Sequence, residues 1–476
     1  MRGAIYLVGA GPGAPDLISL RGLRALEAAD VIVLDSLLPG GYLTELGISE
    51  ATRIVRRLRP GDTRDSHGEI LRFMVGHASA GRSVVRLKTG DPHVFGRSAE
   101  EVKLLEKSGV SWEAIPGMTA ATAVPTAAGL PLTQRGMGRS FAAFTGRVSG
   151  GAENSDVPRA DTLLAFMSVG VLDSLVERLV RDGHPPSAPA AIVERGTMPW
   201  ERRVFGELGD MPKLAREQGV SPPALLIIGE AARGPHNRPL ILFTGLDPSR
   251  FRHLGGLIHW PALEVQPTRT RPQTVAGAVQ RLTNRARDWL VLTSPAGADL
   301  FFCRLRTSGL DVRSLAGCHV AVAGQGTATV AGRHGILADL VPAEAGSGGL
   351  LSDLPTDLGR VVLVQGEQAT ASLQQVLQRR AELVDRLALH TIRPHPELGR
   401  PLPHHDAIYF TSPSGVRAYR DAYGPRAFAG SIQCIGDRTL AAVRGLGFDA
   451  EVVKPYGHEN QDAKKTALGR AEKVRP

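Results

Sequence analysis

The feature that most constrains the fold of this chain is a short apolar run that ends abruptly in glycine, aspartate and proline. Residues 84–87 (VVRL) have the composition of a buried strand, and residues 90–92 (GDP) end it before residues 94–96 lead into a helix. In a parallel α/β sheet, the loop at the carboxyl end of a strand is where ligands bind. Tight turns use the same residue types, so this stretch alone predicts either a turn or a ligand loop.

The beginning of the chain has the same pattern. Residues 4–8 form an apolar strand, GAGPG follows at residues 9–13, and leucines then recur at helical spacing. A second apolar strand at residues 31–34 ends at Asp35, so we predict a right-handed βαβ unit. A Gly-x-Gly-x-Gly turn after a first strand suggests a dinucleotide site. Pro12 removes one backbone donor from this turn, so a Rossmann site is not established.

The second half of the chain contains an internal repeat. Thr-Ser-Pro-x-Gly follows an apolar run at residues 293–297 and again at residues 411–415, and each copy continues as helix, strand, Gly-containing loop and helix. The two copies predict two similar α/β lobes that face each other across a cleft. Ser and Thr at a helix N-terminus cap free N–H groups, and the same end attracts a carboxylate. Capping alone explains either copy, so capping and carboxylate binding both stay open.

The chain is long enough to predict several domains, because 476 residues exceed one ordinary hydrophobic core. We predict one α/β lobe over residues 1–118, a second over 119–231, and a two-lobed module over 239–455. Glycine, proline and charged residues predict a linker at 232–238. The polar, poorly periodic residues 456–476 predict a disordered tail.

Composition argues against several classes of protein. Hydrophobic residues make up 42% and charged residues 22%, as in soluble globular proteins, and no apolar stretch is long enough to span a membrane. Three widely separated cysteines form neither a disulfide framework nor a zinc cluster. The net charge of +9 favours anionic partners such as a polycarboxylate or phosphate, and no dense basic run with aromatics indicates nucleic acid. We expect a cytoplasmic protein without metal, membrane or nucleic-acid partners.

The order of the motifs resembles the uroporphyrinogen-III C-methyltransferases of the tetrapyrrole methylase superfamily. Over residues 3–231 the motifs are YLVGAGPGAPDLISL, VIVLDSLLP, VVRLKTGDPHVFGRSAEE, IPGMTAATA, GLPLTQRGMGRS, LLAFMSVG and AIVERGT. Residues 238–455, with their paired TSP-x-G loops, resemble uroporphyrinogen-III synthase, and fusions of these two activities are known. The resemblance implies a two-lobed tetrapyrrole methylase module followed by a two-lobed α/β uroporphyrinogen-III synthase module.

For the methylase module, the resemblance implies transfer of two methyl groups from S-adenosylmethionine to uroporphyrinogen III. The products would be precorrin-2 and S-adenosylhomocysteine, and the family's dimers imply a homodimer through this module. Asp35 matches the family's proposed base, and Arg57 falls near its proposed proton-donor lysine. The residues expected to line the cofactor site are Pro12, Thr89, Gly90, Asp91, Val94, Thr119, Ala120, Met167 and Gly196.

For the synthase module, the resemblance implies closure of hydroxymethylbilane with inversion of one ring, loss of water and no cofactor. Few catalytic side chains are expected, because this module mainly holds the flexible, carboxylate-bearing substrate in one folded shape. The residues expected to bind substrate are Thr293, Ser294, Gly324, Thr327, His390, Thr411, Ser412, Gly436 and Thr439.

Several positions depart from the patterns of these families. A guanidinium at Arg57 holds its proton too tightly to be a good acid, and His390 replaces a tyrosine. The other departures are Ala14 for Asp, Thr89 for Gly, Gln134 for His and Arg147 for His. They motivate an alternative hypothesis, a ligand-binding or regulatory protein in which one or both active sites have lost their chemistry.

Overall fold

The computed structural model describes most of the chain. The described residues are 3–48, 50, 53–58, 64–136, 138–147, 157–233, 239–248, 251, 254, 256–282 and 286–454, with backbone alone at 64–67. Most of the predicted linker, residues 234–238, and the predicted tail at 456–476 lie outside them. Within the described residues, no helix is both long and apolar enough to cross a membrane.

The first lobe is a parallel sheet of five strands. The strands are β1 (Ala4–Gly9), β2 (Val31–Leu34), β3 (Ile54–Arg57), β4 (Val84–Lys88) and β5 (Ser111–Ile115), in the order β3-β2-β4-β1-β5. Its helices are α1 (Leu20–Glu27), α2 (Tyr42–Glu45), α3 (Arg64–Ser79) and α4 (Ser98–Ser108). Strands β2 and β4 are buried along their whole length, as expected for parallel strands covered on both faces.

The second lobe is also a five-stranded sheet, but only one of its strand pairs is parallel. Its strands are β6 (Phe141–Thr145), β7 (Thr162–Phe166), β8 (Pro189–Glu194), β9 (Arg202–Glu207) and β10 (Ala224–Ile228), in the order β6-β7-β10-β8-β9. Its helices are α5 (Ala120–Ala128), α6 (Leu172–Arg181) and α7 (Met211–Glu217). Strands β6 and β7 are parallel, and the other pairs are antiparallel.

The third lobe is a parallel sheet built from two separate parts of the chain. Its strands are β11 (Leu240–Phe243), β12 (Gly256–His259), β18 (Ala407–Phe410), β19 (Ser431–Cys434) and β20 (Glu451–Val452), in the order β12-β11-β18-β19-β20. Helices α13 (Pro413–Tyr423) and α14 (Asp437–Arg444) belong to the same lobe. Its core includes Trp260, Phe410 and Tyr419.

The fourth lobe lies in the sequence between these two parts. Its strands are β13 (Leu263–Pro267), β14 (Trp289–Leu292), β15 (His319–Val322), β16 (Leu358–Gly366) and β17 (Ala381–Pro394), in the order β13-β17-β16-β14-β15. Its helices are α8 (Pro272–Gln280), α9 (Pro295–Thr307), α10 (Gln325–Arg333), α11 (Ser347–Asp353) and α12 (Ser372–Arg380). Only the β13–β17 pair is antiparallel.

Contacts divide the chain into two compact units. One unit joins Met1–Ala262 to Pro396–Pro476, and the other is Leu263–His395. The first unit therefore contains the first three lobes, while the second unit is the fourth lobe alone. The two TSP-x-G copies fall in different units, and the predicted boundaries at 118, 231 and 239 stay predictions.

Candidate active sites

Three glycines bring the backbone of three loops together at the carboxyl ends of β1, β4 and β5. Gly11 and Gly90 form an antiparallel bridge, with N–H to carbonyl distances of 3.2 and 2.7 Å. A Cβ placed on Gly117 would lie 2.3 Å from the carbonyl oxygen of Gly90 and 2.6 Å from the Cα of Gly9. Because no side chain fits there, only glycine lets these loops pack backbone against backbone beside the predicted cofactor residues.

Two aspartates fix this loop cluster. Asp91 accepts hydrogen bonds from the backbone N–H groups of His93, at 2.9 Å, and Gly117, at 3.1 Å. Asp35 accepts one from the N–H of Thr89, at 3.1 Å. The Oγ1 atom of Thr89 is buried and has no hydrogen-bond partner among the described residues. A buried hydroxyl without a partner is a position where a ligand can complete the hydrogen bonding.

Three further predicted cofactor residues lie close to this cluster: Pro12 of the first lobe, and Thr119 and Ala120 at the start of the second. Pro12 lies in the loop between Gly11 and Gly13, while Thr119 caps α5 by accepting a hydrogen bond from the N–H of Ala121, at 3.2 Å. A Cβ placed on Gly90 would lie 3.9 Å from the backbone nitrogen of Ala120, the first residue of α5. The end of β4 and the start of α5 are thus neighbours.

The second lobe contributes side chains to the same place. The rings of Phe95 and Phe166 lie 4.8 Å apart, so the segment that contains Val94 meets the end of β7, where Met167 follows. Val94 and Met167 are 36% and 49% exposed, as expected for residues that line an open site.

The loop that contains Gly196 packs against the GAGPG loop. Thr197 Oγ1 accepts a 3.3 Å hydrogen bond from the backbone N–H of Ala14. A Cβ placed on Gly13 would lie 2.2 Å from the Cγ of Met198, so Met198 packs directly on that glycine. Ala14, which departs from the family's aspartate, is buried beneath this contact.

A buried charge cluster lies at the end of β4, directly before the predicted cofactor residue Thr89. Lys88 Nζ lies 2.6 Å and Arg86 Nε 3.5 Å from the carboxylate of Glu101, and all three side chains are at most 4% exposed. Burial lowers the pKa of Lys88, and the neighbouring Glu101 carboxylate opposes that shift. The cluster anchors α4 to β4 just before the loop that begins at Thr89.

The departures from the family patterns have different surroundings. Arg57 lies at the end of β3, beside Leu34 of β2, and forms an ion pair with Glu50. Gln134 and Arg147 are both exposed. The structure thus brings Asp35 to the loop cluster, while the side chain of Arg57 is engaged with a surface glutamate.

In the third lobe, the TSP-x-G copy forms a helix cap. Ser412 Oγ accepts a 3.1 Å hydrogen bond from the N–H of Gly415 at the start of α13. The preceding residue, Thr411, is half-buried. Gly436 caps α14, and Thr439 in its first turn is 2% exposed. The predicted residues of this copy therefore lie at two helix N-termini that follow neighbouring strands.

The fourth lobe repeats this arrangement. Ser294 Oγ accepts a 3.0 Å hydrogen bond from the N–H of Gly297 at the start of α9. Thr293 instead donates its hydroxyl to the carbonyl oxygen of Val364, at 2.9 Å, so the serine is the cap. The equivalent positions of the second helix are Gly324, which caps α10, and Thr327 in its first turn, which is 4% exposed.

His390 lies in this lobe between two glycines. Built Cβ atoms on Gly297 and Gly366 would lie 3.4 Å from its Cε1 and 3.2 Å from its Nε2. The imidazole is 2% exposed, its Nδ1 has no hydrogen-bond partner among the described residues, and burial lowers its pKa. The structure therefore places a buried imidazole, whose pKa burial lowers, beside the capped N-terminus of α9.

Two contributors to the first site were not identified in the sequence analysis. The Tyr42 hydroxyl donates a 2.6 Å hydrogen bond to the carbonyl oxygen of Ala10, and burial raises the pKa of this phenol. Gly117 packs against two other glycines, and the Pro-Gly that follows β5 was the available signal for it. No sequence pattern indicated Tyr42. Among the described residues, no group of three or more His, Cys, Asp or Glu has an arrangement suited to a metal ion.

Comparison with known proteins identifies the family. A model of the Tetrapyrrole (Corrin/Porphyrin) Methylases matches residues 4–212. The uroporphyrinogen-III C-methyltransferase of Methanocaldococcus jannaschii is 38% identical over 235 residues, which cover 48% of this chain and 97% of that protein. The chain belongs to the tetrapyrrole methylase family. A second family model, Uroporphyrinogen-III synthase HemD, matches residues 251–458. The predicted fold class, a methylase module followed by a synthase module, is confirmed.

Other matches cover half of this chain. The siroheme synthase of Thiobacillus denitrificans is 39% identical over 240 residues, and this chain spans about half (49%) of its length, as it does for several curated relatives. The crystal structure of uroporphyrin-III-C-methyltransferase from Thermus thermophilus is 38% identical, with a TM-score of 0.42, over 49% of this chain and 95% of that one.

Proposed function

We propose that this tetrapyrrole methylase is a two-activity enzyme. Its synthase module closes hydroxymethylbilane to uroporphyrinogen III with loss of water. Its methylase module then transfers two methyl groups from S-adenosylmethionine to uroporphyrinogen III, giving precorrin-2 and S-adenosylhomocysteine. The observation that carries the methylase proposal is the close backbone packing of Gly11, Gly90 and Gly117 at the ends of three parallel strands, next to the buried and unpartnered hydroxyl of Thr89.

The residues of the first site fit S-adenosylmethionine. Gly90 has open space on its Cβ side, where the nearest atom lies 3.9 Å away, and the buried Thr89 hydroxyl lacks a partner among the described residues. Thr89, Gly90 and Thr119 would hold the cofactor through backbone and hydroxyl groups, with Met167 and Val94 at the open side. When bound, the cofactor supplies an electrophilic methyl group on a sulfonium. The protein's main task is then to hold the accepting carbon in line with that methyl.

Asp35 is the proposed base of the methylase module. Alkylation of a pyrrole ring requires loss of a proton, and a carboxylate can accept that proton when it lies within hydrogen-bond reach. Asp35 is half-buried, and its Oδ2 is fixed by the N–H of Thr89, so its orientation is set before substrate binds. Arg57 supplies charge rather than a proton, because a guanidinium stays protonated.

The synthase module is proposed to bind the carboxylates of its substrate at helix N-termini. Ser294 and Ser412 cap α9 and α13 in the same way, and helix N-termini favour anions. Thr293, Thr411, Thr327 and Thr439 lie at or beside the N-termini of these helices and of α10 and α14. His390, which lies beside the capped N-terminus of α9, is proposed to contact substrate as a neutral imidazole.

The decisive experiment incubates the purified chain with hydroxymethylbilane and S-adenosylmethionine and follows tetrapyrroles and S-adenosylhomocysteine by mass spectrometry. We expect precorrin-2 with two equivalents of S-adenosylhomocysteine. The matched control is Asp35→Asn, which should still give uroporphyrinogen III while methylation falls. If neither uroporphyrinogen III nor a methylated tetrapyrrole forms, the proposal is refuted for both modules.

A binding measurement made beside this assay tests the alternative, a binding or regulatory protein. Tight binding of S-adenosylhomocysteine in calorimetry without any methylated product would favour that alternative for the methylase module. Formation of uroporphyrinogen III alone would limit the enzymatic proposal to the synthase module.

A further inference from the structure

We propose that the loop between β8 and β9, residues 195–201, is a positioning segment through which the third lobe sets the affinity of the methylase's cofactor site. This inference rests on the proposed function, because it concerns the same S-adenosylmethionine site. It adds that part of the synthase-like half is a structural component of the methylase.

One side of this loop touches the predicted cofactor site. Thr197 accepts the hydrogen bond from the N–H of Ala14, and Met198 packs on Gly13, so both contacts fall on the GAGPG loop. Within the loop, the carboxylate of Glu201 accepts a 2.7 Å hydrogen bond from the N–H of Thr197. The position of Thr197 therefore constrains the end of the GAGPG turn.

The other side of the loop is built into the third lobe. Trp200 is 2% exposed, belongs to that lobe's hydrophobic core, and has its ring 4.4 Å from the ring of Trp260. Its backbone N–H donates a 2.7 Å hydrogen bond to the carbonyl oxygen of His259. Arg195 forms a 2.8 Å ion pair with Glu397, which also pairs with Arg400 at 3.1 Å.

The backbone of the loop requires these outside contacts. Arg195, Thr197 and Trp200 have φ values of 51°, 71° and 67°, in the left-handed region that non-glycine residues rarely adopt. Such conformations persist only where surrounding contacts determine them, and they cluster at functional sites. Here Glu397, in the segment that leads into β18 of the third lobe, pairs with Arg195, and the core of that lobe packs around the ring of Trp200. These contacts hold the loop in the shape that places Thr197 against Ala14.

The consequence is an energetic link between Glu397 and the cofactor site. Loosening the third-lobe contacts should let the loop relax, and the GAGPG turn would lose the contacts at Gly13 and Ala14. Coupling between distinct sites typically changes affinity about 5- to 150-fold. We expect the lower end of that range, because Glu397 acts through one intervening loop.

The experiment compares full-length variants for binding of S-adenosylhomocysteine by calorimetry. Glu397→Gln is expected to raise the Kd about fivefold, at the lower limit of typical coupling. Trp200→Phe, which keeps an aromatic ring in the core, should act in the same direction. Glu382→Gln is the matched control, because it removes an exposed ion pair with Arg287 elsewhere in the chain and should leave the Kd unchanged.

A double-mutant cycle separates this link from general destabilisation. Thr197→Val removes the hydroxyl that accepts from Ala14 and should weaken binding by itself. If the effect of Glu397 passes through Thr197, adding Glu397→Gln to Thr197→Val should cause little further loss. Fully additive effects, or a Kd that is unchanged in both Glu397→Gln and Trp200→Phe, would overturn the inference.

Hydrogen exchange keeps the test independent of the proposed function. Glu397→Gln should speed exchange in the peptide that covers residues 9–20, whether or not any ligand binds, and Glu382→Gln should not. If the wild-type chain fails to bind S-adenosylhomocysteine, the proposed cofactor is wrong, while faster exchange would still support the link. Unchanged exchange in that peptide would refute the link itself.

Discussion

The Oδ2 atom of Asp35 accepts a 3.1 Å hydrogen bond from the backbone N–H of Thr89, which ties the proposed base to the loop of the proposed cofactor site. The two residues directly follow β2 and β4, which are parallel neighbours with Leu34 paired to Leu87. The contact is therefore a product of strand order, and it fixes the carboxylate without using a second side chain.

Asp35→Asn is expected to slow methylation strongly while preserving the site. The amide oxygen of asparagine can still accept the N–H of Thr89, but the amide is not a base. General-base catalysis contributes about 10²- to 10⁴-fold, so single-turnover formation of S-adenosylhomocysteine should slow by that range. The Kd for S-adenosylhomocysteine should stay within about twofold of wild type, since the loop contact is retained. Methylation at the wild-type rate would exclude Asp35 as the base.

Gly117→Ala tests the glycine cluster. The new Cβ would lie 2.3 Å from the carbonyl oxygen of Gly90, so the loops must separate. We expect a loss of about 1–3 kcal/mol in the free energy of unfolding, as for overpacking, together with loss of S-adenosylhomocysteine binding. Gly76→Ala is the matched control, because nothing lies within 4 Å of its built Cβ in α3. Binding that survives Gly117→Ala would show that the ligand lies elsewhere.

Much of the first site could be predicted because its residues follow strands in the sequence. The apolar runs before Gly9, Asp35 and Thr89 are typical of buried parallel strands, and parallel strands bring their carboxyl ends to one edge of the sheet. The repeat also indicated Ser/Thr caps at two equivalent helices, one of the two readings left open for it, and in both copies the serine is the cap.

Other features depend on long-range packing that no local pattern encodes. Tyr42 reaches the carbonyl of Ala10 from α2, and Met198 reaches Gly13 from another lobe. The antiparallel pairing in the second lobe was also not predicted, because a buried strand has a similar composition in either direction. The sequence also did not predict that the fourth lobe is inserted between the two parts of the third, because the two TSP-x-G copies follow one another along the chain.

Ser294→Ala and Ser412→Ala separate capping from substrate binding. Loss of an N-cap costs about 1 kcal/mol, and both variants lose equivalent hydrogen bonds, to Gly297 and Gly415. We expect similar losses of stability, measured by urea unfolding, and a rise in KM for hydroxymethylbilane in each. Ser308→Ala is a suitable control, because its hydroxyl bonds to a carbonyl at the other end of α9. Lower stability with unchanged KM would leave these serines a purely structural role.

The pH dependence of stability tests the neutral state of His390. Burial lowers the pKa of His390 in the folded protein, so below its ordinary pKa of about 6.5 the unfolded chain binds a proton that the folded chain does not. The free energy of unfolding should therefore fall as the pH drops below that value, by at most about 1.4 kcal/mol per pH unit.

His390→Phe should remove this component, because phenylalanine fills a similar space between Gly297 and Gly366 but does not titrate. The measurement is urea unfolding at pH 7.5 and 5.5, and the difference between the two pH values should be smaller in the variant than in wild type. The control is His404→Asn, since that side chain is 78% exposed and should retain the wild-type difference. An equal pH dependence in His390→Phe and wild type would mean that His390 is not held neutral, and its proposed contact with substrate as an unprotonated imidazole would be wrong.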